Sequence, residues 1–231
     1  MKRLIFVHGS GDSSRAWHYQ TKAFPGAEAV DLPGHPRGKP CPSVAEYARW
    51  LNGYILAGRD KSPVLAGHSL GGAIVQMHAL SYPENTAALI LIGSGARLRV
   101  SPALLSLIRE GIGNPEKWFN ELVRPFYQDI PAAAREPMLE RIKENGAKVQ
   151  LNDMLCCDSF DIMNEVEQIK VPTLIICGSR DIMTPPKYSS YLAERISGAG
   201  LVIVDGGGHL VFAEKPEAVN QAINDFLTRL C

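Results

Sequence analysis

The stretch that decides the fold of this chain is Gly67-His68-Ser69-Leu70-Gly71. The apolar run 63–66 before it predicts a buried strand, and residues 72–75 after it begin a helical pattern. A serine between two glycines at a strand-to-helix corner is typical of a nucleophile elbow, in which a sharp turn holds the hydroxyl out of the sheet. Only very small side chains fit where the two arms of the turn meet, which explains Gly67 and Gly71. The following helix directs free backbone N–H groups toward a developing oxyanion.

A serine nucleophile needs a base, and the base needs an orienting acid. Residues 173–178 predict a buried strand, and Asp181 lies in the loop that follows it. Residues 201–204 predict another, and a run of glycines ending at His209 follows that strand. We therefore predict a triad of Ser69, Asp181 and His209. Asp205 is the weaker candidate for the acid, because it lies too close to His209 in the sequence.

The N-terminus predicts an oxyanion hole. Residues 4–7 form a short apolar run that predicts a buried strand, and His8-Gly9-Ser10-Gly11 ends it. A glycine-rich loop at that place can turn a backbone N–H toward Ser69. The expected oxyanion donors are the N–H groups of Ser10 and Leu70.

In this order the motifs resemble those of α/β-hydrolase fold proteins with a serine nucleophile. The motifs that carry the resemblance are His8-Gly9, residues 31–35 (DLPGH), the elbow, residues 178–181 (GSRD) and Gly208-His209. The resemblance covers nearly the whole chain outside a middle segment. It implies an α/β protein whose mostly parallel sheet of about six strands is flanked by helices. Because the oxyanion motif begins at residue 8, we expect most of the family's N-terminal hairpin to be missing.

The pattern of apolar runs and turn residues places most elements of this fold. The predicted strands are 3–7, 27–32, 63–68, 88–93, 173–177 and 201–204. The predicted core helices are 43–57, 70–82, 186–196 and 216–230.

Between residues 96 and 170 the strand signals vanish and the patterning is helical. The resemblance implies a helical cap, or lid, at this place. We expect residues 1–97 and 168–231 to form the core domain, and residues 98–167 the cap. A cap excludes water and shapes the substrate pocket. The cap residues that we expect to bind substrate are Phe126, Met138, Met154 and Met163.

The composition of the chain limits the classes of binding partner that we expect. The 231 residues carry 24 Lys+Arg and 24 Asp+Glu, with no basic block, so nucleic acid is not an expected partner. No stretch approaches the roughly 18 apolar residues of a membrane span. The five cysteines have no metal-ligand spacing, and we interpret them as reduced, which indicates the cytoplasm. No metal or organic cofactor is expected, and the oligomeric state is not predicted.

The remaining histidines near these motifs have structural interpretations. His8 and His35 are expected to order their own loops by hydrogen bonding. His68 precedes the nucleophile, so its side chain is expected to point away from the hydroxyl.

The predicted chemistry is acyl transfer through an acyl-enzyme. Family branches with an aspartate nucleophile attack an sp3 carbon, and Ser69 stands at that position here. Leu210 stands where the resembling lyases carry a lysine, which argues against cyanohydrin cleavage. The leading hypothesis is a carboxylesterase for small-to-medium apolar esters. A lactonase, a thioesterase, a carbon–carbon bond hydrolase and a small-molecule receptor of the same fold stay open as alternatives.

Overall fold

A computed structural model of the protein describes residues 2–58 and 60–230. Its sheet has six strands in the order β2-β1-β3-β4-β5-β6, and every neighbouring pair is parallel. The strands are β1 (Leu4–Val7), β2 (Glu28–Val30), β3 (Val64–His68), β4 (Ala88–Ile92), β5 (Thr173–Gly178) and β6 (Gly200–Val204). The predicted fold class, a parallel sheet of about six strands flanked by helices, is confirmed.

Helices cover both faces of the sheet and fill the interval between β4 and β5. They are α1 (His18–Ala23), α2 (Val44–Ala57), α3 (Leu70–Ser81), α4 (Pro102–Gly113), α5 (Pro115–Lys117), α6 (Ala132–Ser159), α7 (Pro186–Arg195), α8 (Val211–Glu214) and α9 (Pro216–Arg229). A π-helical turn, Trp118–Val123, and a 3₁₀ turn, Arg124–Tyr127, separate α5 from α6. The Ser43 hydroxyl caps α2 by accepting a hydrogen bond from the Glu46 N–H. None of these helices is long and apolar enough to span a bilayer, within the part of the chain described.

The sheet is buried on both faces, which is why its strands are continuous apolar runs rather than alternating ones. Phe6, next to Trp17 and Phe212, belongs to the core on one face, and Ile5 belongs to the core on the other face, under α2 and α3. Every residue of β4 is buried. The sheet is therefore a rigid base whose carboxyl ends can hold loops in fixed positions.

The interval from residue 98 to 167, called here the helical segment, contains α4 to α6 and no strand of the sheet. Its longest helix, α6, bends at Gly146, whose backbone has φ 77° and ψ 167°. Both ends of the segment meet at an isolated antiparallel bridge between Arg97 and Asp161. The segment packs α4 against α6. Most of its buried side chains join the core on the Phe6 face, and those between Cys156 and Val166 join the core on the other face.

Candidate active site

Ser69 lies at the carboxyl end of β3, in the strained backbone that an elbow requires. Its φ is 52° and its ψ is −114°, and no other described residue besides glycine has a positive φ. Such a conformation costs about 1–3 kcal/mol and persists only when the surroundings enforce it. A Cβ on Gly67 would lie 2.2 Å from the Gly71 carbonyl oxygen, and one on Gly71 would lie 2.2 Å from that of Val7. Only glycine fits both positions, as the sequence predicted.

Three hydrogen bonds hold the Ser69 backbone in this conformation. Its N–H donates to the Ile92 carbonyl at 3.0 Å, and its carbonyl accepts from the Ala73 N–H at 3.1 Å. The buried Ser94 hydroxyl donates to the same carbonyl at 3.0 Å. Sequence reasoning missed Ser94, because only the pairing of β3 with β4 brings it to the elbow.

Asp181 and His209 form a hydrogen-bonded pair between the loops after β5 and β6. Asp181 Oδ2 lies 2.8 Å from His209 Nδ1, and the Asp181 side chain is completely buried. Burial opposes ionisation, but the hydrogen bond and charge of His209 hold the pKa of Asp181 below its ordinary value. The carboxylate therefore fixes the Nδ1–H tautomer of His209 and leaves Nε2 able to accept a proton.

Two residues that sequence reasoning missed support this pair. The Thr184 hydroxyl donates to Asp181 Oδ2 at 2.8 Å, and the N–H groups of Met183 and Thr184 donate to Oδ1. A Cβ on Gly93 would lie 3.4 Å from both Asp181 Oδ2 and His209 Nδ1. Gly93 therefore lies directly beside the pair, and its φ of 52° is one that a residue with a side chain would adopt only with strain.

Ser69 and His209 line one cavity together with Ser10. The hydrogen bonds of the described residues include none between the Ser69 hydroxyl and His209. Catalytic hydrogen bonds are often long before substrate binds, so the shared cavity leaves the pair able to engage.

The oxyanion loop lies beside the nucleophile. A Cβ on Gly9 would be 3.4 Å from Ser69 Cβ, so the loop backbone approaches the elbow closely. Ser10 follows Gly9 and lines the cavity. The N–H of Leu70 is at the first turn of α3, where helical N–H groups have no partner within the helix. The positions of Ser10 and Leu70 suit oxyanion donors, and their role stays a prediction.

His68 also lies at the site, against our expectation that it would point away. Its side chain lines the cavity, and its ring centroid is 4.7 Å from that of His209. Burial, together with the nearby His209 ring, lowers the pKa of His68 to about 3, so the ring is neutral. Its Nε2 lies 3.0 Å from the His209 carbonyl oxygen and donates to it. His68 thereby ties the elbow to the loop that carries His209.

The helical segment supplies much of the cavity wall. Phe126 and Met154, which the sequence predicted as pocket residues, both line the cavity. Met138 and Met163 do not line it. Met138 is fully buried in the core on the Phe6 face, and Met163 packs against the opposite core. The helical pattern marks all these side chains as apolar but does not tell which face of a bent helix meets the site.

Asp12, at the end of the oxyanion loop, places a buried carboxyl in the same cavity. Its side chain accepts hydrogen bonds from the Ser13 N–H at 2.9 Å and from the Tyr127 hydroxyl at 3.3 Å. Burial raises the pKa of Asp12 to about 7. No motif in the sequence singles out this residue.

His8 and His35 order their loops, as expected. His8 Nε2 accepts from the Leu32 N–H at 3.1 Å, and burial lowers the pKa of His8 to about 3. His35 Nδ1 faces the Leu32 and Pro33 carbonyls, and its Nε2 lies 2.8 Å from Asp153 Oδ2. Burial alone would lower the pKa of His35, but the hydrogen bond and charge of Asp153 raise it. Since both ring nitrogens face acceptors, the ring is an imidazolium.

Comparison with known proteins agrees with this geometry. The model of the alpha/beta hydrolase family matches residues 4–222. The chain belongs to this family. The resemblance seen in the sequence is thereby confirmed, and the α/β-hydrolase fold is shared along nearly the whole length.

Esterases are among the similar proteins. The pimeloyl-[acyl-carrier protein] methyl ester esterase of Neisseria meningitidis (strain MC58) is 26% identical over 244 residues, covering 98% of this chain and 93% of the relative. A solved structure of a thermophilic esterase is 32% identical with a TM-score of 0.86, covering 100% of this chain and 91% of that one. The enol-lactonase of Burkholderia xenovorans LB400 is 20% identical with a TM-score of 0.80, covering 99% of this α/β-hydrolase and 92% of that chain, which shows the shared fold. The esterase relatives agree with the prediction of a carboxylic ester hydrolase.

Proposed function

We propose that this α/β-hydrolase is a serine carboxylesterase that cleaves small-to-medium apolar esters through an acyl-enzyme. The observation that carries the proposal is the buried Asp181–His209 pair, with its 2.8 Å hydrogen bond, lining one cavity with an elbow serine. The names of the related esterases support the same reaction class.

In the proposed mechanism, the Ser69 hydroxyl attacks the ester carbonyl carbon while His209 Nε2 removes its proton. Asp181 keeps the ring in the right tautomer and stabilises the imidazolium that forms. The N–H groups of Ser10 and Leu70 bind the oxyanion, an interaction that strengthens as charge develops. His209 then protonates the leaving alcohol, which leaves the acyl group on Ser69. In the second half of the reaction water attacks the acyl carbonyl carbon while His209 removes its proton. His209 then returns that proton to the Ser69 oxygen as the acid is released.

The helical segment, residues 98–167, is proposed to act as a cap over residues 1–97 and 168–231. It contributes apolar side chains to the cavity wall, among them Leu104, Leu122, Phe126 and Met154. Such a wall favours an apolar arm of the substrate, since each buried methylene contributes about 0.8 kcal/mol. The proposed partner is therefore a small-molecule ester. The proposed cytoplasmic location has the support that Cys41, Cys156, Cys157 and Cys177 are free thiols.

The test of this function combines a variant with a covalent label. Ser69→Ala should fold normally and lose at least about 10⁴-fold in kcat/KM on a p-nitrophenyl ester, because triad members act as a unit. An alkyl fluorophosphonate should add one label to the wild type, at Ser69. Ser106→Ala, an exposed serine on α4, is the matched control and should keep both activity and label. Labelling at another serine would contradict the assignment, and a single slow burst without turnover would favour a receptor.

A further inference from the structure

Asp12 is a buried, cavity-lining acid that the proposed mechanism does not use. It is 2% exposed and lines the same cavity as Ser69 and His209. It follows the oxyanion loop closely, two positions after Ser10. A carboxyl group at this place is exceptional in a wall that is otherwise largely apolar.

The hydrogen bonds of Asp12 leave it with spare acceptor capacity. A carboxylate offers about four lone-pair sites. The Ser13 N–H occupies one site on Oδ1, and the Tyr127 hydroxyl occupies one on Oδ2. Among the described residues no cationic side chain is paired with Asp12. Each oxygen therefore accepts one hydrogen bond beside the cavity, and the charge of His35 favours the ionised form but lowers the pKa of Asp12 less than burial raises it.

Neighbouring residues hold both the backbone and the side chain of Asp12 in place. The Asn145 side chain donates to the carbonyls of Gly11 and Asp12 at 2.9 and 2.8 Å, so the backbone is held by α6. Tyr127, itself a cavity residue, holds the side chain from the helical segment.

Burial of a carboxyl among apolar groups is costly unless a partner compensates it. Above about pH 7 the Asp12 carboxyl is ionised. Its remaining lone pairs can then only accept hydrogen bonds, so the partner that would compensate it is a hydrogen-bond donor. A substrate that carries such a donor would complete the site, and an apolar substrate would leave it incomplete.

We propose that Asp12 and Tyr127 form a polar subsite that accepts a hydrogen bond from a hydroxyl or protonated amino group on the substrate. The inference rests on the proposed esterase function and refines it. The preferred esters are amphiphilic rather than wholly apolar: an apolar arm packs on Phe126 and Met154, and a donor group reaches Asp12.

The test compares matched methyl esters that differ in one terminal group. Acyl chains of increasing length end in methyl, hydroxyl, methoxy or ammonium, and a parallel series places the same groups on the alcohol of acetate esters. At the best length the wild type should prefer hydroxyl or ammonium over methyl by about tenfold or more in kcat/KM, since hydrogen bonds to charged groups are strong. Methoxy, which cannot donate, should show no such gain. Comparing the ammonium esters with the hydroxyl esters shows whether the subsite prefers a cation or a neutral hydrogen-bond donor.

Asp12→Asn is the decisive variant. Its amide has nearly the shape of the carboxyl: the oxygen can still accept from the Ser13 N–H, and the NH₂ group in place of Oδ2 can donate to the Tyr127 oxygen. The amide removes the second acceptor and puts N–H donors at that end of the side chain. The hydroxyl-to-methyl ratio should fall about tenfold, and the methoxy-to-methyl ratio should rise. Asp225→Asn, on the exposed side of α9, is the control and should leave both ratios unchanged. Asp12→Ser provides a second variant if the amide folds poorly, and it should also lower the hydroxyl ratio.

Different results of these assays would contradict the Asp12 subsite and the proposed esterase function. Turnover of methyl-terminated esters with equal ratios in wild type and Asp12→Asn would overturn the subsite and leave the esterase standing. No turnover of any ester would overturn the esterase itself. A change in ratio that follows Asp12 and not Asp225 supports the subsite.

Discussion

Asp181 and Asp205 follow neighbouring strands, yet their surroundings differ in every respect that matters to a catalytic acid. Asp181 is buried and accepts hydrogen bonds from Thr184 and His209 as well as from two backbone N–H groups. Asp205 is exposed and accepts from the Ser179 hydroxyl at 3.3 Å. The buried carboxylate can hold a histidine tautomer because nothing in solvent competes for it.

Asp181→Asn should therefore lower kcat by about 10⁴-fold, the size of the effect in serine proteases when the orienting acid becomes an amide. The amide would present an N–H to His209 Nδ1 and favour the wrong tautomer. Asp205→Asn, the matched control, should change kcat by less than about twofold, as is usual for a surface position. Steady-state kinetics on one ester decides between them. If the Asp205 change proves the more damaging, the two roles must be exchanged.

The sequence could single out the members of the proposed triad because each stands at a recognisable place: an elbow, and the loops after two apolar strands. It could not predict Ser94, Gly93 or the contact of His68 with His209. Those residues act through neighbours that are distant in sequence and close only once β3, β4 and β5 pair. Asp12 escaped notice for a related reason, since its burial depends on Tyr127 from the helical segment.

One buried carboxylate on helix α6, that of Asp153, joins the helix to three parts of the core. Asp153 accepts from the Gly11 N–H at 2.8 Å, from the Tyr47 hydroxyl at 2.9 Å and from His35 Nε2 at 2.8 Å. The Asp153 and His35 side chains are both fully buried. The same helix also carries Glu140, whose contact with Arg15 is mostly exposed to solvent.

Asp153→Asn should cost about 3–5 kcal/mol in the free energy of unfolding, because it leaves the His35 imidazolium buried without its counter-charge. Glu140→Gln, which removes the exposed ion pair from the same helix, should cost less than about 1 kcal/mol. Urea unfolding of both variants measures the difference. Equal losses would show that α6 is held by its apolar contacts and not by Asp153.

The strands of the core were predictable because both faces of a parallel sheet are buried, and burial leaves continuous apolar runs in the sequence. The face of α6 that lines the cavity could not be predicted in this way. The bend at Gly146 divides the helix, so Met138 and Met154 lie on opposite sides of it and meet different surroundings. Met138 enters the core and Met154 the cavity, although a single straight helical pattern includes both.

The molecule as a whole buries several histidines in neutral form, and this makes its stability depend on pH. Burial lowers the pKa of His8 and of His68 to about 3, and that of His78 to about 4. In the unfolded chain these rings bind protons below about pH 6.5. Between that value and their folded pKa only the unfolded state is charged, so stability falls as pH falls. His35 acts in the opposite sense: its raised pKa stabilises the fold below about pH 6.5, and this contribution is lost as pH rises through its folded pKa.

Asp12 also opposes the buried histidines, over a pH range that overlaps theirs. Its folded pKa of about 7 lies above its unfolded value of 3.8, so between these values the folded state holds a proton that the unfolded state lacks. For these four groups alone, the unfolded chain near pH 5 therefore binds about two more protons than the native one, three from His8, His68 and His78 less one from Asp12. Each proton corresponds to about 1.4 kcal/mol per pH unit. We expect the free energy of unfolding to fall by about 2.7 kcal/mol per unit as pH decreases near 5.

Two variants should move this slope in opposite directions. His78→Gln removes one of the histidines that the unfolded state charges, so the slope near pH 5 should decrease by about 1.4 kcal/mol per pH unit. Asp12→Asn removes the opposing proton, so the slope should increase by about the same amount. Ser106→Ala, an exposed position without a titrating side chain, should leave it unchanged. The measurement is urea unfolding from pH 4.5 to 7 for each protein.

If His78→Gln leaves the slope as it is in the wild type, His78 is charged in the native state or its pKa is not depressed. If Asp12→Asn leaves it unchanged, Asp12 is ionised in the folded protein at pH 5, and its burial costs less than the geometry implies.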